Sequence, residues 1–99
     1  MNMQQMMIQA QKMQREMQKA QQALAVKEFS VSKAGLVTVT VLGSKEVQSI
    51  EIDKDGFDPE NKEMVEEMIA LAVNEAHAEI DKQSEEINER ITGRSGGLF

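Results

Sequence analysis

Cysteine, tryptophan and tyrosine are absent from this 99-residue chain, which carries one proline and three phenylalanines. The lack of cysteine removes disulfides, thiolate metal sites and cysteine nucleophiles, and suits a reducing compartment, with the cytoplasm as the default. Aromatics at 3% of the residues leave Met, Val, Ile and Leu to build the core. Such a core is thin and gains from a partner chain. No apolar run approaches the roughly 20 residues that a membrane span requires. Met1 to Ile8 is interrupted by Gln4 and Gln5 and lacks the basic stretch and cleavage site of a signal peptide. The expectation is one soluble domain over residues 1–99.

Charge is present in quantity but unevenly placed. The net formal charge is -6, yet residues 1–45 hold six basic and two acidic side chains while residues 46–92 hold four basic and fifteen acidic ones. Global acidity argues against indiscriminate binding to polyanions, whereas a local basic stripe is still able to bind them.

From Asn2 to about Ala25 there is no Gly, Pro or Thr, and Gln, Met, Ala, Lys and Arg predict a helix over residues 1–25. Met3, Met6, Ala10, Met13, Met17, Ala20 and Leu24 recur at alternating steps of three and four, the a/d spacing of a coiled coil. That seam is assigned to core or dimer packing rather than to soft-metal binding. Met7 and Ile8 fall off it. Lys12, Arg15 and Lys19 lie opposite the seam, with Gln5 and Gln22 extending their row.

Residues 26–53 predict a three-stranded antiparallel meander. Val26 to Ser32 reads as a short strand, Leu36 to Leu42 alternates Val with Thr, and Val47 to Ile52 forms the third strand, with Gly35 and Gly43 in the turns. Asp58 before Pro59 then supplies a helix start, predicting a second helix over 58–92. Its apolar stripe runs from Val65 to Ile80, breaks at Gln83 and Ser84, and resumes at Ile87 and Ile91, so the second half should project as a Glu-rich arm. Gly93 reads as the cap, and 93–99 as a loose tail. One open sheet edge remains for a second chain to cover.

No enzyme motif is present: there is no phosphate-binding glycine loop, no G-x-S-x-G elbow, and His77 is a lone histidine without a spaced second ligand. Glu51, Asp53, Asp55 and Gly56 match part of a calcium loop, but Lys62 occupies the twelfth position, where a bidentate Glu is needed. No cofactor, metal or small-molecule substrate is expected.

Taken in order, Gln9-Ala10-Gln11-Lys12-Met13-Gln14, Gly35-Leu36-Val37-Thr38-Val39-Thr40-Val41 closed by Gly43, Ser49-Ile50-Glu51-Ile52-Asp53, and Lys62-Glu63-Met64-Val65-Glu66-Glu67-Met68-Ile69 resemble the YbaB/EbfC family of bacterial nucleoid-associated proteins over nearly the whole chain. The terminal Gly97-Leu98-Phe99 is similar to the family's apolar end. The resemblance implies an α+β fold: an α-β-β-β-α protomer paired as a tweezer-like homodimer whose helical arms bind double-stranded DNA in the nucleoid. Under it, Lys12, Arg15 and Lys19 become candidates for phosphate contact, with Lys82, Arg90 and Arg94 as further candidates amid more numerous acids. The seam Met3, Met6, Ala10, Met13, Met17 and Leu24 would hold core and dimer. Two other readings stay open: an ordinary solvated helix face for the basic row, and a scaffolding dimer that meets DNA only through partners.

Overall fold

The computed structural model of the chain describes residues 2–93, so Arg94 and the tail beyond Gly93 lie outside the described residues. Along the chain come α1 (Met3–Ala25), β1 (Glu28–Lys33), β2 (Val37–Leu42), β3 (Val47–Ile52), two 3-10 turns (Lys54–Phe57 and Pro59–Asn61) and α2 (Lys62–Gly93). This is the α-β-β-β-α order expected from the sequence. Helix α1 starts where the Asn2 side-chain oxygen accepts the Gln5 N–H at 2.8 Å, satisfying one of the first-turn donors.

The three strands pair antiparallel in the order β1-β2-β3. Ala34 and Gly35 both hold positive φ (57° and 66°) in the turn from Lys33 to Val37, and the Leu36 N–H closes it on the Lys33 carbonyl at 3.0 Å. Register then follows: Val39 stands opposite Val31 on one side and Ile50 on the other. Val37, Val39 and Val41 therefore share one face, all buried with Phe29. On the opposite face, hydroxyls pair across the strands, Ser30 with Thr40 and Ser32 with Thr38, each at 2.8 Å.

Helix α2 covers the valine face with Val65, Ala72, Ala76 and Ile80. Ala72 and Ala76 are fully buried and carry nothing beyond Cβ, which lets the helix lie close to the sheet. Each large side chain removed from water here contributes about 1.5–3 kcal/mol. The helix crosses β1 and β2 and barely reaches β3. Val47 and Ile50, opposite Val41 and Val39 on this same face, stay 41% and 46% exposed in consequence.

Three boundaries differ from the sequence reading. Helix α2 begins at Lys62, not beside Asp58. The Asp58 carboxylate does act as a cap, accepting the Glu60 N–H at 2.9 Å with Pro59 at the first position, but what it caps is a 3-10 turn. Strand β1 begins at Glu28 because Val26 closes α1. Gly93 remains helical at the end of α2.

The break at Gln83 and Ser84 proves to be a junction. Lys27 Nζ donates to the Gln83 side-chain oxygen at 2.9 Å, the Ser84 hydroxyl to Gln21 at 3.4 Å, and the Gln21 amide to Asn88 at 3.3 Å. Beyond it Ile87 is half-buried and Ile91 buried, and α1 runs antiparallel alongside. The arm is thus a two-helix pair. It makes the molecule 69 × 20 × 14 Å with a radius of gyration of 19.6 Å, against about 13 Å for a compact domain of this length.

Candidate nucleic-acid interface

The two faces of α1 have different environments. Toward the sheet, the seam is spent within the chain: Leu24 is buried, and Met13, Met17 and Ala20 are half-buried in the helix pair. Toward the N-terminus it is uncovered, with Met3 79% and Met6 49% exposed and Ala10 exposed as well. Met7 and Ile8, off the seam, are also exposed.

Lys12, Arg15 and Lys19 are exposed on the other face. A helix advances about 1.5 Å per residue, so this row extends roughly 10 Å. None of the three takes part in an ion pair among the described residues. The paired lysines stand elsewhere: Lys33 with Glu75, Lys45 with Asp81 at 2.7 Å, and Lys62 with Glu66 at 3.2 Å. Residues 2–15 contain no carboxylate; the first on this helix is Glu16, one turn after Lys12 and three residues before Lys19.

A groove follows the line between the two helices, with Ala20, Ala23, Ile87 and Ile91 along its floor. Lys19 and Arg90 border it together and Lys12 borders its outer end, with Glu16 between them and Glu86 on the α2 side, so one α1 candidate stands beside one from α2. Lys82 is exposed on α2 away from that lining, and Arg94 lies outside the described residues. Lys27 joins the border at the sheet end, with its ammonium 5.3 Å from the Phe29 ring centroid. Sequence reasoning passed over Lys27 because it follows the last residue of α1, where helical spacing no longer locates a side chain. Ammonium and guanidinium groups have donors only, so such a row is suited to phosphate oxygens and carries no acid–base or nucleophilic chemistry.

Other polar groups serve the fold. The Asp53 carboxylate accepts the Asp55 N–H at 3.1 Å, which fixes the start of the first 3-10 turn. Half-buried His77 keeps Nε2 without a hydrogen-bond partner among the described residues. Among those residues no group of three or more His, Cys, Asp or Glu is placed to hold a metal, and no helix is long and apolar enough to cross a membrane.

Comparison with known proteins gives the chain a family. Residues 1–95 match the model of the YbaB/EbfC DNA-binding family. A nucleoid-associated protein of Ruminiclostridium cellulolyticum is 42% identical over 98 residues, covering 98% of this chain and 85% of the relative. One from Chloroflexus aurantiacus is 39% identical over 100 residues and covers both chains fully, and one from Enterococcus faecalis is 45% identical over 85 residues, covering 85% and 82%. That family is characterised by DNA binding, not by catalysis. With its helix, meander and long second helix in the family's order, this chain belongs to the YbaB/EbfC DNA-binding family.

Proposed function

We propose that the chain acts as a nucleoid-associated homodimer whose helical arms straddle duplex DNA and contact its phosphate backbone with little dependence on sequence. The observation that carries this reading is the exposed row Lys12, Arg15 and Lys19 on a projecting arm, in no ion pair among the described residues. Cations placed this way neutralise phosphates and release counterions, and they do so on any sequence. Two uncovered apolar surfaces support the dimer: the outer seam at Met3 and Met6, and the strip on β3 at Val47 and Ile50. A second copy of the chain covering them would remove apolar area that a lone protomer leaves in water.

A scaffolding role draws on a different observation. Phe57, Met64 and Leu71 are exposed within the acidic half, where DNA would be repelled and a protein partner would not. One experiment separates the readings. Sedimentation of the protein alone, and with a labelled duplex at about 50 mM salt, is expected to give the mass of two chains and a complex displaced equally by duplexes of unrelated sequence. A monomer, or no complex, overturns the proposal, and the latter outcome favours scaffolding.

A further inference from the structure

Ile8 is out of place in its row. It lies four residues before Lys12 and seven before Arg15, so it shares their helix face and not the methionine seam. It is 58% exposed, at the rim of an opening that it lines with Lys12, Met13, Glu16 and Ile91. A solvated helix face gains nothing from a β-branched apolar residue, which lowers helix propensity and leaves hydrocarbon in water. The positions around it are long and polar, with Gln5 one turn before and Lys12 one turn after.

Whatever receives Ile8 must accept hydrocarbon while lying beside groups that attract cations. Residues 2–15 hold no carboxylate, so an acidic or anionic surface is the complementary one. Duplex DNA has both properties: its edges are phosphate and its interior is stacked, apolar base. A minor groove is about 6 Å wide, and one helical turn separates Ile8 from Lys12 by roughly 6 Å along the axis. A side chain directed at the groove floor can therefore have its neighbouring ammonium at the phosphate edge.

Building on the DNA-binding reading above, we propose that Ile8 is an apolar wedge that enters the minor groove at a base step, partly unstacks it and bends the duplex. Isoleucine is among the side chains able to do this, and the bend brings more backbone toward the cations behind it. The arm would then shape DNA as well as hold it. Flexible pyrimidine–purine steps would take the wedge most readily, giving a mild preference without hydrogen-bonded base readout.

The test is resonance energy transfer across a duplex of about 30 base pairs labelled at both ends, with the full-length protein. The parent is expected to shorten the end-to-end distance by a bend of roughly 20–90°. Ile8→Gln, which suits a helix and removes only the hydrocarbon, is expected to bind about tenfold more weakly and leave the duplex straight. Ile8→Met should restore the bend. A parent complex that is straight, or an Ile8→Gln complex bent like the parent's, overturns the wedge while leaving DNA binding intact. If Ile8→Gln changes the sedimenting mass of the free protein, the side chain is covered by a second copy and the wedge is likewise overturned. No complex with the parent removes both readings.

Discussion

Reversing Lys12, Arg15 and Lys19 together to glutamate is expected to weaken duplex binding by about 100-fold or more at low salt, with the fold unchanged. The size of the effect comes from counting: each cation lost forfeits a released counterion, each carboxylate gained repels a phosphate, and a dimer would suffer both on two arms. Stability should move by no more than about 0.5 kcal/mol, because all three side chains are exposed and none is paired among the described residues. A change of global charge could imitate this result, since the chain already stands at -6. Lys54→Glu with Lys62→Glu provides the comparison, as both residues are exposed at the far end of the sheet from the arm. That pair should cost only a few-fold in affinity. Equal losses per charge reversed in the two variants, measured by anisotropy of a labelled duplex, would show that net charge and not the α1 face governs binding.

Gly43→Ala should produce the other large effect, this time on stability. Gly43 does not hold a positive φ; its lack of a side chain serves close approach. The end of α1 rests directly on this turn, with the Gly43 N–H donating to the Lys27 carbonyl at 2.9 Å and the Ser44 N–H to that of Ala25 at 3.1 Å. A Cβ here would collide with the Leu24 carbonyl, a backbone group that cannot turn aside. Relief requires the arm to lift off the turn, breaking these bonds and uncovering Leu24, so a loss of about 3 kcal/mol in urea unfolding is expected. Gly93→Ala serves as the control: a Cβ there meets nothing within 4 Å, and a helical alanine should be neutral or stabilising by up to about 1 kcal/mol. A Gly43→Ala protein within 0.5 kcal/mol of the parent would contradict this account of how the arm is fixed.

The parts of this fold that could be read from sequence are those whose signal is local. Alternating Val and Thr located β2, and β3 was read over its full Val47–Ile52 span, because period two needs no knowledge of the rest of the chain. Asp58-Pro59 misled by four residues since the same cap geometry opens a 3-10 turn as readily as an α-helix. The methionine seam posed a different difficulty. Its three-four spacing announces that α1 meets another helix, yet period does not say whose helix, and the inner half proves to pack on α2 of the same chain. Likewise the polar break at Gln83 and Ser84 read as the start of a projecting Glu-rich arm, and the residues of the break are also where Gln21 and Lys27 dock.

Legibility of the candidate interface divides the same way. Lys12, Arg15 and Lys19 share a face by helical spacing alone, and their exposure in the structure agrees with that geometry. The groove that Lys12 and Lys19 border depends on how α2 returns past α1, so neither the placement of Lys19 near Arg90 nor the contribution of Lys27 was accessible from spacing. Ile8 was visible as a residue off the seam, but only the structure shows that it is more than half exposed on the arm, beside Lys12.

Salt dependence of the parent protein's affinity for a labelled duplex tests the central claim most directly. Backbone recognition predicts that log affinity falls linearly with log salt at a slope of about -0.9 for each phosphate neutralised. Three cations on each of two arms predict a slope near -5, shared by duplexes of unrelated sequence. A slope near zero, or binding confined to one sequence at every salt concentration, would contradict it.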